Sequence, residues 1–270
     1  MGRIHQKYLE KLSVSYKIFD PFVKNDDEKF LKLISIDEVD LKSFTHIIIA
    51  TPDENHISTY SSLRNNDYVG PILIEKPAFT NIKDIGILEK DKNVYVGLVE
   101  RSNQVVINLK KHISKSDILS LHFTRSSNVL DSNQEVNSFR DVGIHDLDIY
   151  DFLIGIDKKD KLLLNYFSNT YHGFLKSKYG FFTTFYWSNE TLKKERTVTI
   201  RCKDKTIFAN LIDHTISLES QDKDGSEAKK ELQLPNTSSV ETEIVNFLNN
   251  TFKVKGIPAH KLFLENLSIS

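Results

Sequence analysis

Three short aliphatic runs, at residues 46–50, 71–74 and 94–99, are separated by stretches whose apolar residues recur at helical spacing. A strand that is apolar along its whole length must be covered on both faces, and a parallel sheet flanked by helices provides that cover. The first part of the chain is therefore expected to form βαβ units. A further strand is expected at 15–19. Helices are expected at 4–12, 27–34, 56–65, 82–90 and 104–112, with Asp53, Asn55, Asn81 and Asn103 as caps or residues just before caps.

After about residue 117 the texture changes to alternating segments rich in Phe, Tyr and Thr, at 118–124, 162–167, 180–187, 196–202, 206–210 and 215–219. Such alternation predicts a largely antiparallel sheet with one wet face. Helices are expected at 142–153, ending at Gly155, and at 240–249, while the charged run 221–231 reads as a solvated hairpin or loop. The fold class is α/β followed by α+β, with a dinucleotide-type domain at 1–113 and a mostly antiparallel substrate and oligomerisation domain at 114–270. A length of 270 residues suits one large or two modest domains.

Charge and cysteine usage narrow the function classes. With 36 Lys+Arg against 37 Asp+Glu, nothing points to a nucleic-acid or acidic-membrane partner. No apolar stretch approaches the roughly 18 residues that span a bilayer, and the polar start has no signal-peptide core, so the cytoplasm is expected. Cys202 is the only cysteine, which excludes an intramolecular disulfide and a cysteine-based zinc cluster.

Several residues can carry chemistry. Gly2-Arg3-Ile4 opens a helix, and Asp20 ends the following strand. A glycine turn followed at this distance by a carboxylate is the layout of a dinucleotide site, although Asp20 before Pro21 also suits an ordinary turn. His5 stands where the third glycine of GxGxxG would lie. The run at 46–50 stops at Thr51-Pro52, which puts Ala50, Thr51 and Pro52 at the carboxyl edge of the sheet, just before His56 starts the next helix. The second run ends in Glu75-Lys76-Pro77 on the same edge. An ammonium there stabilises an alkoxide, though lysines at strand ends are often only solvated. In DVGIHDLD, Asp141 and His145 are i and i+4 on one helix face, an arrangement suited to general base work, whereas an isolated DxxxH reads first as a helix capped by Asp141 with an exposed histidine.

Taken in order, GRIHQKYLEKL, ATPDENH, IEKP, VGLVERSNQVV and DVGIHDLD resemble the glucose-fructose oxidoreductase and inositol dehydrogenase (Gfo/Idh/MocA) family, from Gly2 to about Asn249. The resemblance implies a Rossmann-like domain, incomplete at the N-terminus, followed by a mostly antiparallel domain. It implies a substrate pocket lined by Lys76, Asp141 and His145 as catalytic residues. Cofactor contacts are expected from Gly2, Arg3, Ile4, Asp20, Ala50, Thr51, Pro52, His56, Glu75 and Lys76. Asp20 would hold the ribose, favouring NAD over NADP. Glu100-Arg101 before Ser102-Asn103 is similar to a segment of family members that act on nucleotide-linked or acidic sugars, with Ser102 in place of an aromatic residue and Gln104 in place of proline. Relatives begin with a strand and GxG turn before the position of Gly2. The expectation is that the real start lies upstream or that another segment fills the gap, and that relatives also continue beyond 259–270.

The expected activity is hydride transfer between a nicotinamide cofactor and a secondary alcohol of a sugar, sugar nucleotide or cyclitol. The alternative is a truncated or non-catalytic relative acting as a binding or regulatory module. A metal hydrolase using Asp141, His145 and Asp148 fits less well, because no further histidine lies at ligand spacing and no metal is expected. Phe181, Phe182, Phe185, Tyr186 and Trp187 suggest either a homo-oligomer through the antiparallel sheet or packing on the protein's own helices.

Overall fold

The computed structural model describes residues 1–23, 27–31, 35–128, 138–222 and 224–267. The chain divides into two compact units, Met1–Leu98 with Val240–Lys255, and Val99–Ser239 with Gly256–Ser270. The division at 113 expected from the sequence falls inside the second unit, and residues 240–255 return to the first.

The first unit holds a parallel sheet of β1 (Ile47–Ile49), β2 (Ile72–Glu75) and β3 (Val94–Gly97), in that order. The register pairs Ile48 with Leu73 and Leu73 with Tyr95. β2 and β3 are buried along their whole length, as the aliphatic runs require. Helices α1 (Gly2–Lys11), α2 (His56–Asn65) and α3 (Gly86–Lys90) belong to this unit, as does the main part of α6 (Ser239–Leu248). Phe247 of α6 and Phe252 pack on Leu73 and Tyr95. The carbonyl of Val254 then accepts the N–H of Val96 at 3.0 Å, so the returning segment lines β3. Asn81 caps its helical turn through the N–H of Lys83, as expected.

Two expectations fail near the N-terminus. The stretch at 15–19 forms no strand, only a single bridge from Ile18 to Phe30. The helix expected at 27–34 is absent over 27–30, because the Asp27 carboxylate accepts the N–H of Lys29 at 2.9 Å and closes a turn instead. Residues 32–34 lie outside the described residues.

The second unit is built on an eight-stranded sheet. In chain order its strands are β4 (Ile118–Asn128), β5 (Leu162–Phe167), β6 (Thr170–Lys176), β7 (Phe182–Ser188), β8 (Glu190–Cys202), β9 (Lys205–Asn210), β10 (Thr215–Gln221) and β11 (Glu227–Gln233). The spatial order is β11-β10-β9-β8-β4-β7-β6-β5, and only the β4–β7 pair is parallel. β6 was not expected. It contains Gly173, whose missing side chain leaves room for Trp187 and Leu162, since a Cβ would stand 3.0 Å from both. β11 lies in the charged run and pairs with β10 as a hairpin.

Helices α4 (Gln104–Leu109), α5 (Ile144–Leu153) and α7 (Ile257–Leu267) complete this unit. Asn103 caps α4 through the N–H of Val105, as expected. α7, which the sequence reading left out, packs on α5. Beneath α5, Phe123 stacks on Phe185 and Phe185 on Trp187, with centroids 4.9 and 5.0 Å apart. Of the five aromatic residues singled out above, Phe181, Phe185 and Trp187 are buried in this core and Phe182 is exposed. No helix of the described residues is long and apolar enough to cross a membrane.

Candidate active site

In the first unit, the site begins at the carboxyl ends of the parallel strands, where open α/β sheets bind ligands. β1 runs into Ala50-Thr51-Pro52 and β2 into Lys76, so these residues share that edge. Thr51 and Pro52 are exposed, and Ala50 and Lys76 are half-buried. The imidazole of His56, the first residue of α2, is buried between the two exits. Its Nε2 meets the carbonyl of Thr51 at 2.9 Å, and its Nδ1 meets the carbonyls of Pro77 at 2.9 Å and Ala78 at 3.2 Å. His56 thus fixes both exits to each other, and its effect on a ligand runs through them.

Glu75, the last residue of β2, is also buried, and its Oε1 lies 2.5 Å from Nε2 of His5 in α1. His5, at the position a third glycine would occupy, therefore points inward onto the strand end. Gly2, Arg3 and Ile4 form the exposed first turn of α1. That turn holds no acidic residue, and apart from its chain neighbours and its own helix backbone no atom of the described residues stands within 4 Å of where a Gly2 Cβ would be. Asp20 is half-buried and its Oδ1 accepts the N–H of Phe22 at 3.0 Å. This closes a turn, in keeping with the ordinary turn named as the alternative for this residue, although no strand ends there.

In the second unit, Asp141 and His145 sit where a π-helical turn, Phe139–Gly143, runs into α5. Such turns cluster at functional sites. Gly143 permits this one, because a Cβ there would lie 2.6 Å from Cδ2 of Phe139. The Phe139 ring is held by Trp187 at 5.2 Å and Phe263 at 5.1 Å. Asp141 is exposed and His145 half-buried, while Ile144, Leu147 and Tyr150 face the core.

The two remaining carboxylates of the motif are buried structural anchors. Asp146 accepts Nε–H of Arg125 and Nε1–H of Trp187, each at 2.9 Å. Arg125 also donates to Glu100 at 3.0 Å. Burial opposes its charge, but Asp146 and Glu100 outweigh burial and hold its pKa above the ordinary value. Asp148 accepts a two-pronged bond from Arg101, at 2.8 and 2.7 Å, and Arg101 reaches Asp151 at 3.1 Å. Burial outweighs Arg101 and pushes the Asp148 carboxyl up to about 6. Both oxygens of Asp148 are thus engaged by Arg101. Acids set among the core-facing positions of this helix were the signal that cationic partners lay elsewhere in the chain. The sequence does not say that these are Arg101 and Arg125.

No protein-family model matches the sequence, and no curated protein is similar to it in sequence. Solved structures are similar in fold. The UDP-N-acetylglucosamine 3-dehydrogenase GnnA from Acidithiobacillus ferrooxidans superposes with a TM-score of 0.82 at 17% identity, over 99% of this chain and 92% of that one. The dehydrogenase MviM from Clostridium difficile gives 0.75 at 18% identity, over 98% and 95%. A protein described as an NADPH-dependent oxidoreductase from Desulfitobacterium hafniense gives 0.77 at 10% identity, over 99% and 93%. The chain has the two-part fold of the Gfo/Idh/MocA-type oxidoreductases.

Proposed function

We propose that the protein is an oxidoreductase that transfers a hydride between a nicotinamide dinucleotide and a secondary alcohol of a sugar, sugar nucleotide or cyclitol. One observation carries the reading: in a fold shared along almost its whole length with a sugar-nucleotide dehydrogenase, Lys76 stands at the carboxyl end of β2 and Asp141 and His145 stand at the π-helical start of α5.

The residues present suit a dinucleotide. The exposed first turn of α1, with Gly2, Arg3 and Ile4 and without an acidic residue, favours a diphosphate at a helix N-terminus. Asp20 would hold the ribose, which favours NAD over NADP. Ala50, Thr51 and Pro52 would pack under the dinucleotide, with His56 and Glu75 holding the loop and strand end in place. When bound, the oxidised nicotinamide accepts the hydride released as the carbinol C–H bond breaks. His145 takes the hydroxyl proton as general base, and the Lys76 ammonium stabilises the developing alkoxide. Asp141 positions the substrate or the imidazole.

The exposed face of the large sheet supports a further element of this reading. Leu163, Phe174 and Phe208 lie in one cross-strand row with Thr184, His122 and Thr199 between them. Leu163 is 68% exposed and Phe182, on the same face, 58%. A second copy of the chain would cover this surface.

The test is a fluorescence titration with NADH, followed by turnover of UDP-N-acetylglucosamine and myo-inositol. His145→Asn should retain NADH binding, and His145→Asn and Lys76→Met should each lower turnover by roughly 10² to 10⁴. Unchanged turnover in either variant removes that residue from the mechanism. No saturable NADH signal at millimolar cofactor favours the non-catalytic module instead.

A further inference from the structure

Tyr171, Trp187, Arg125 and Arg196 stand directly opposite one another across β6, β7, β4 and β8. Residues paired in this way share one face of a sheet. Trp187 and Arg125 meet Asp146 of α5 on that face. Arg196 therefore leaves β8 on the side where α5 lies, beside the segment that carries Asp141.

Three arginines near α5, Arg101, Arg125 and Arg196, differ in what their donors do. Arg125 and Arg101 spend theirs on Asp146, Glu100, Asp148 and Asp151. The Arg196 guanidinium, by contrast, makes no hydrogen bond to a described residue. Among the described residues its nearest carboxylate oxygen is Oε1 of Glu100, at 3.8 Å, beyond hydrogen-bonding distance. Glu100 is already engaged, Oε1 by Arg125 and Oε2 by Asn103 at 3.1 Å. The Arg196 side chain is 39% exposed, so a ligand can reach it from solvent, and its guanidinium presents a planar fork of N–H donors. Burial and the neighbouring Arg125 act against its charge, while Glu100, Asp146 and Asp141 favour it, which also places the Asp141 carboxylate near.

We propose that Arg196 binds an oxyanion of the substrate, which makes the alcohol substrate an anionic sugar. Resting on the oxidoreductase reading above, this narrows its substrate class. A guanidinium fork matches a carboxylate or a phosphate with paired charge-assisted hydrogen bonds. The same chemistry comes from two sources, the carboxylate of a hexuronate or the diphosphate of a nucleotide-linked sugar.

Calorimetric titration of the full chain with UDP, with glucuronate and with neutral N-acetylglucosamine separates the two sources. The wild-type protein should bind one of the two anionic probes more tightly than the neutral sugar. Arg196→Gln should weaken that probe by roughly tenfold or more, and Arg196→Lys by less, because the ammonium keeps the charge without the fork. N-acetylglucosamine binding and the NADH titration should stay as in the wild type. Equal binding of UDP and glucuronate by wild type and Arg196→Gln overturns the proposal, as does a wild-type protein that prefers neither anion. A wild-type protein that fails to bind NADH while Arg196→Gln still loses the anion would sink the oxidoreductase reading and leave the anion site standing.

Discussion

Nε2 of His5 and Oε1 of Glu75, 70 residues apart in the chain, lie 2.5 Å from each other in the interior of the first unit. The contact joins α1 to the end of β2, next to Lys76. Removing one member of a buried hydrogen-bonded pair leaves the other unsatisfied, which costs about 1–3 kcal/mol. His5→Ala should therefore lower the urea midpoint substantially. The double variant with Glu75→Gln should lose clearly less than the two single losses added together, because the residues share one interaction. Simple additivity in that cycle would refute a direct coupling.

Gly143 should tolerate no side chain. A Cβ would stand 2.6 Å from the Phe139 ring, which Trp187 and Phe263 hold from other sides. Gly143→Ala should destabilise by about 1–3 kcal/mol in thermal melts. Adding Phe139→Leu should recover part of the loss, whereas no recovery would mean that the ring is not the obstacle.

Arg125 is the centre of the buried polar network in the second unit. Arg125→Met strands Asp146 and Glu100 without their cation and should cost about 3–5 kcal/mol. Trp187→Phe leaves Arg125 on Asp146 but removes the indole N–H and part of a buried ring, and should cost less, about 1–3 kcal/mol. Denaturant unfolding of both variants gives the ranking, and the reverse order would contradict the assigned geometry.

His260, fully buried in α7, should make stability depend on pH. Burial lowers its pKa to about 4 from the ordinary 6.5. The unfolded chain takes up this proton near 6.5 and the folded chain only near 4. The stabilisation is therefore complete above pH 6.5 and is lost as pH falls toward 4, by roughly 3 kcal/mol. Asp148 acts oppositely: its folded pKa is raised to about 6 from 3.8, so its contribution grows as pH falls through that window. Comparing melts of wild type and His260→Leu between pH 7 and 4 isolates the histidine. The variant should lose less stability on acidification, and parallel curves would show that the ring titrates normally.

The sheet of the first unit was legible because its strands are aliphatic on both faces, and the strand exits at Thr51 and Lys76 followed from where those runs stop. The caps Asn81 and Asn103 were legible for a local reason, since a side chain two residues away satisfies a backbone donor. β6 was not, because Gly173 reads as a turn and its cause, the Trp187 ring, is distant in sequence. The Asp27 turn hid behind a helical period that its own carboxylate disrupts. In the site, the chemistry-bearing residues were visible as motifs, but their supports were not. The interior pairs of His5, Arg101 and Arg125 join residues that only the fold brings together, and that Arg196 makes no hydrogen bond to a described residue becomes evident only when the neighbouring carboxylates have been assigned.

The chain passes from one unit to the other after residues 98, 239 and 255. Neither unit can be excised by a single scissile cut, because a fragment ending at 113 gives up Phe247, Phe252 and Val254, which complete the small sheet's core and edge. Any hinge motion must flex all of these tethers in concert. Grafting one unit onto a foreign partner would require rejoining every one of them.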